Sequence, residues 1–208
     1  MNPFLFIWGL YTLGLGAAVV GTDKLELHRT MHGYTSSLLD RVLAVLTHLA
    51  DGWVPTAVAV LILLLRDVRS FLMVGVSCAG SAIIVQILKR LFSMDRPAVY
   101  RNELGDMHWV PGVDLHHHFS FPSGHATAAF SLCFALALLA GRRFHGFLFA
   151  GIAVVLAYTR VYLSQHFTED ILVGAAIGTL TAWAVYQWLY CSPFAGRPWL
   201  RFRPIQLK

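Results

Sequence analysis

The chain has 208 residues, enough for one ordinary domain, and 57% of them are hydrophobic against 13% charged, where soluble domains carry about 25% charged residues. With a mean hydropathy of +0.61, this composition excludes a compact soluble protein, which could not bury so much apolar surface; lipid must solvate a large part of the chain. The net charge of +5 points to anionic partners, and because the basic residues are scattered among apolar segments, lipid headgroups fit better than nucleic acid.

In chain order, the first apolar segment is 4–21. Met1, Asn2 and Pro3 supply no basic stretch before it, so it reads as an uncleaved membrane helix rather than a signal peptide. Residues 36–50 carry Leu38, Leu39, Val42, Leu43, Val45, Leu46 and Leu49. That spacing predicts a helix lying along the membrane interface or extending the second span. The second span, 47–65, is the least clean, with His48, Asp51 and Pro55 in its first half. Four more follow at 70–88, 125–140, 144–161 and 171–191. The fold expected is all-α, an integral membrane bundle of six transmembrane helices in a single domain, 1–208. Each run is too long and continuous for a barrel strand.

Loops 22–46 and 89–124 are long, whereas 66–69 and 141–143 are very short. With both termini on one side, that side holds Arg66, Arg69, Arg142, Arg143, Arg197, Arg201, Arg203 and Lys208, with Asp67 as its one acid. The positive-inside rule makes this side cytoplasmic and sends the long loops outward. Cys78, Cys133 and Cys191 fit no metal or redox spacing and read as small buried apolar residues. Gly174 and Gly178 form GxxxG, expected to bring two helices of the monomer close together.

Ionisable residues at membrane helix ends are costly and tend to serve function. Helix counting gathers three groups of them at the outward face. They are Lys89 with Arg96; Ser123, Gly124 and His125; and Arg160, His166 and Asp170. Two arginines and a lysine can neutralise a phosphoryl group. Ser123 can cap the helix that follows, and Gly124 lets an anion approach its free N–H groups. His166 and Asp170, four apart, are expected on one helix face. There the carboxylate can bond one imidazole nitrogen and leave the other as nucleophile. His125 is then available as general acid.

These residues carry a resemblance. Lys89, followed after six residues by Arg96-Pro97, resembles the first motif of the type 2 phosphatidic acid phosphatase (PAP2) family. Pro122-Ser123-Gly124-His125 resembles the second, and Arg160, His166 and Asp170 at their spacing resemble the third. Thr159 stands where the family commonly has serine, and it keeps the hydroxyl. The resemblance implies that His166 attacks phosphorus, forming a phosphohistidine, while Asp170 holds it. His125 would protonate the leaving alkoxide and then activate water. Lys89, Arg96, Ser123, Gly124 and Arg160 would bind the phosphate. It implies no metal and no cofactor, and the sequence lacks a carboxylate cluster suited to magnesium.

Taken singly, several of these residues have plainer readings. Lys89 and Arg90 could be interfacial anchors, Pro97 ends a local helix, and Asp170 could complement a helix N-terminus. His116, His117 and His118 are adjacent, which disfavours a shared metal; loop or headgroup contact is the expectation. Trp109, Phe119 and Phe121 read as interfacial aromatics, and loop 89–124 is expected to shape substrate choice.

The leading function is a membrane lipid phosphatase with its site at the outer face. Candidate substrates are lipid A phosphate, phosphatidylglycerol phosphate, undecaprenyl pyrophosphate and phosphatidic acid. A lipid phosphotransferase with a polyprenyl pyrophosphate donor shares the chemistry and differs in the acceptor. A transporter or scaffold would need charges along the bundle, which the helix centres nearly lack. The short chain and tight cytoplasmic loops point to a bacterial inner membrane; oligomeric state is left open.

Overall fold

A computed structural model describes residues 2–205. Met1 and residues 206–208 lie outside the described residues, and with them Lys208, one of the eight basic residues of the expected cytoplasmic side. The described chain is helical, with no strand. The elements are α1 (Pro3–Gly21), α2 (Lys24–His32), α3 (Ser37–Leu46), α4 (Trp53–Leu65), α5 (Val68–Phe92), the single turn α6 (Arg101–Leu104), α7 (Gly124–Ala140), α8 (Arg143–Tyr162) and α9 (Thr168–Tyr186). Five helix starts have a local cause. Asn2, Asp23, Ser36, Asp67 and Ser123 are N-caps whose side chains accept from backbone N–H groups one to three residues into α1, α2, α3, α5 and α7, satisfying donors that a helix leaves free. Gly141 ends α7 in the left-handed region, at φ 67°, where a side chain would be strained.

Against the six spans expected from hydropathy, four described helices are long and apolar enough to cross a membrane: α1, α5, α8 and α9. A fifth is reached if the bent pair 37–50 and 53–65 counts as one span. The second segment therefore needs correcting. It is no continuous helix from Thr47: residues Thr47–Ala50 form a 3-10 turn, and the chain breaks at Asp51-Gly52 before α4. The helix expected at 36–50 extends this segment, bent from α4 by 53°. Loop 22–46 holds α2 in addition to α3, the helix expected from residue 36.

α7, at 17 residues, is the shorter apolar helix. It lies at the centre of the bundle, packed against α5, α8 and α9, and Phe130, Phe134 and Ala135 on it have no exposed surface. Central placement explains why it is apolar all round. α9 runs against it through the GxxxG pair. A Cβ on Gly174 would lie 2.7 Å from the Ser123 carbonyl oxygen and 3.1 Å from the Ala126 Cβ; one on Gly178 would collide with the Thr127 carbonyl. Only glycine permits this approach, and it brings the Ser123 N–H within 3.0 Å of the Asp170 carbonyl oxygen. Of the three cysteines, Cys133 is buried and Cys78 half-buried, but Cys191 is exposed, because it ends the π turn Gln187–Cys191 beyond α9.

The short turns meet at the opposite end of the bundle. There Arg66 donates to the Leu139 carbonyl at 3.3 Å, Arg69 to the Ala195 carbonyl, and the Val68 N–H to the Phe202 carbonyl at 3.0 Å.

Candidate active site

The fold brings the three expected groups together. His166 lies not on a helix, as its spacing to Asp170 predicts, but in the turn between α8 and α9. Phe167, in extended conformation, is the N-cap of α9 and separates the two. The pair meets all the same, His166 Nδ1 lying 3.2 Å from Asp170 Oδ2. The turn is tied to α8, since the Gln165 and His166 N–H groups donate to the Arg160 carbonyl at 2.9 and 3.1 Å. The same Asp170 oxygen accepts from the Phe167 N–H at 2.9 Å and from the Ser120 hydroxyl at 2.5 Å. A carboxylate so held orients the imidazole and stabilises positive charge on it. His166 and Asp170 are almost completely buried.

Burial, then the charges of Arg96, Arg160, Lys89 and His125, hold the His166 imidazole well below the ordinary histidine range. A neutral imidazole bonded through Nδ1 has a lone pair on Nε2, which is what a nucleophile requires. Lys89 from α5, Arg96 from the 93–123 loop, His125 from α7 and Arg160 from α8 all act on this one buried ring.

Backbone carbonyls aim two of the cations. Arg96 donates from Nε to the His118 carbonyl at 2.9 Å, from Nη1 to the Gln165 carbonyl at 3.1 Å, and from Nη2 to the Phe119 carbonyl at 3.4 Å. The Arg96 N–H also donates to the His117 carbonyl at 2.8 Å. The Phe119 carbonyl accepts from Lys89 as well, and Phe119 takes up the left-handed region at φ 58°, uncommon for a bulky side chain. Arg160 donates from Nη1 to Thr47 Oγ1 at 2.8 Å. Its Nε is buried with no partner among the described residues, a costly state that a bound anion would relieve. Ser123 is the N-cap of α7, its Oγ 3.4 Å from the Ala126 N–H, and Gly124 and His125 form the first turn.

Sequence reasoning missed the partners. Thr47, Ser120 and Gln165 have no periodic or motif signal of their own. Asp51, visible only as a blemish in an apolar segment, has Oδ1 2.8 Å from His125 Nε2 and Oδ2 2.8 Å from His48 Nδ1. A cavity of about 350 Å³ opens over the site, lined by Thr47, His48, Asp114, His116, His125, Arg160 and Gln165, among others. His116 thus faces the site, whereas His118 pairs with Asp95 at 2.7 Å. Phe121 packs edge-on against Phe92, and Trp109 lies under Arg101. A second, apolar cavity of about 450 Å³ runs between α4, α5 and α7 from Gly52, past Ala59, Gly75 and Ala79.

A family model described as the PAP2 superfamily matches residues 70–192, more than half of the chain, and the chain belongs to that superfamily. Among relatives, a lipid A 4'-phosphatase of Bacteroides thetaiotaomicron is 29% identical over 64% of this chain and 63% of its own length. The chain therefore spans less than two thirds of that protein. A decaprenylphosphoryl-5-phosphoribose phosphatase of Mycobacterium tuberculosis is 32% identical over 69% of this chain and 79% of its own. Among solved structures, LpxE of Aquifex aeolicus superposes with a TM-score of 0.70 at 25% identity, covering 79% of this chain and 94% of that one.

Proposed function

We propose that the protein hydrolyses a phosphomonoester or pyrophosphate of a membrane lipid through a phosphohistidine on His166. The observation that carries this reading is the buried His166–Asp170 pair set among Lys89, Arg96 and Arg160. His166 Nε2 attacks phosphorus while the arginines and lysine neutralise the charge spread over the phosphoryl oxygens. The Ser123 hydroxyl and the N–H groups of the first turn of α7 supply further donors. His125 gives a proton to the leaving oxygen, then takes one from the water that cleaves the phosphohistidine.

The substrate is a lipid because the polar cavity stands beside the apolar one. Gly52 lines the second, while its neighbour Asp51 bonds His125, which lines the first. A phosphorylated headgroup fits the polar space and an acyl or isoprenoid chain the apolar one. Six crossings are proposed, with the bent α3–α4 pair as the second and α7 as a protein-lined fourth. The basic turns then face the cytoplasm and the site the exterior, in a bacterial inner membrane. Lipid A phosphate, phosphatidylglycerol phosphate, undecaprenyl pyrophosphate and phosphatidic acid remain the candidates, with transfer to a second lipid as the competing outcome.

The test is phosphate release by purified protein in detergent on those four lipids, with EDTA present and His166→Ala beside the parent. Release that survives EDTA and vanishes in the variant supports the reading; release retained by His166→Ala overturns it. Phosphate appearing on a second lipid instead of in solution assigns the transferase.

A further inference from the structure

We infer that Asp51 is the positioning residue for the general acid, so that each catalytic histidine has its own carboxylate. The inference rests on the proposed phosphatase reading. Asp51 lies in the break between the Thr47–Ala50 turn and α4, an interruption that an apolar span has no packing reason to contain. A carboxylate only accepts hydrogen bonds, so the 2.8 Å contact fixes the His125 proton on Nε2 and leaves Nδ1 for the leaving group. His48 donates to the second Asp51 oxygen, so the carboxylate is held at both ends.

His125 needs such a partner. The cationic side chains of Arg160 on α8 and Arg96 on the 93–123 loop both act on it, so a ring that carries a proton to the leaving group needs a counter-charge beside it. Asp51 is the one anion bonded to it among the described residues. His48 is the remaining titratable group in contact with that anion. In the first step His125 starts as the imidazolium, with one proton on Nε2 bonded to Asp51 and a second, taken up from solvent, on Nδ1. The bond from phosphorus to the leaving oxygen breaks as the bond to His166 Nε2 forms, and the leaving oxygen takes the Nδ1 proton. In the second, water adds to phosphorus, the N–P bond breaks, and the water proton returns to Nδ1. Asp51 accepts from Nε2–H throughout, so the ring keeps its orientation through both charge states.

A proton donor matters most when the leaving group is a poor one. The experiment compares release of the leaving group in the first turnover from a lipid phosphomonoester and from p-nitrophenyl phosphate. It uses the parent, His125→Ala, Asp51→Asn and Asp51→Glu, each checked for folding by thermal melt. Asp51→Asn is expected to slow the lipid substrate about 10- to 100-fold. The nitrophenyl ester, whose leaving group needs no proton, should change less than about threefold, and Asp51→Glu should recover part of the loss. Equal slowing of both substrates by Asp51→Asn, or none, overturns the inference provided His125→Ala shows the leaving-group dependence. A His125→Ala variant without that dependence would instead sink the general-acid assignment itself.

Discussion

Gly174→Ala is the substitution that best separates architecture from chemistry, because it adds one methyl group at a residue with no side chain of its own in the site, against the backbone that carries Ser123. The methyl carbon would lie 2.7 Å from the Ser123 carbonyl oxygen and 3.1 Å from both the Ala126 Cβ and Thr127 Oγ1. A carbon–oxygen contact settles at about 3.3 Å or more, so α9 must withdraw from α7 by roughly 0.6 Å. Overpacking of this kind costs about 1–3 kcal/mol, while alanine in place of helical glycine returns about 1 kcal/mol. The net loss of stability is therefore small, about 0–2 kcal/mol. Activity is affected more. α7 carries Ser123 and His125, α9 carries Asp170, and the Ser123-to-Asp170 backbone bond ties the two. A displacement of about 1 Å at reacting atoms can cost about 100-fold, so a fall in kcat of about tenfold or more is expected, with KM less changed. The assay is steady-state phosphate release alongside a melt in the same detergent, with Gly14→Ala as control, since nothing lies within 4 Å of a Cβ there. A Gly174→Ala protein as active as the control would refute the claim that this helix contact sets the site geometry.

Ser120→Ala removes the hydroxyl that donates to Asp170 Oδ2; a bond to a charged group contributes about 1.5–3 kcal/mol, so kcat should fall by roughly 10- to 100-fold, with unchanged activity as the contrary result. Because His166 is held neutral well below its ordinary range, phosphoenzyme formation should persist as pH falls through 6.5. A rapid-quench pH series showing half-loss near 6.5 would contradict the burial argument. His28 on α2 is fully buried, and burial, with His32 next, pushes its imidazole down to about 4. The unfolded chain then binds the extra proton between pH 6.5 and 4, so stability present above 6.5 is lost as pH falls toward 4, by at most about 3 kcal/mol. Melting temperatures across that window should drop for the parent and drop less for His28→Phe.

The helices were legible because lipid demands long apolar runs and because capping residues stand at their starts. The bend at Asp51 was not. Hydropathy averages over about 19 residues, and two polar residues inside an apolar stretch look like noise until a partner is found for them. Site residues from three distant stretches could be assembled by counting helices, since each stretch lies at or just beyond a helix end. Their supporting partners could not. Thr47 bonds Arg160 across 113 positions and Ser120 bonds Asp170 across 50, and no local periodicity encodes such pairs. His166 and Asp170 gave the right contact for the wrong reason, because the turn before α9 returns the ring to the carboxylate that a continuous helix would also have reached.

Arg96 is fixed almost wholly by carbonyl oxygens at positions 117, 118, 119 and 165, and every amino acid has a carbonyl. The loop that holds the arginine can thus be rewritten in its side chains without dislodging it. His116, which faces the cavity, is free to be exchanged for a residue suited to another headgroup. On the proposed reading, such a scaffold keeps the arginine and Ser120 in place for phosphate chemistry while the side chain at position 116 is open to change for another headgroup.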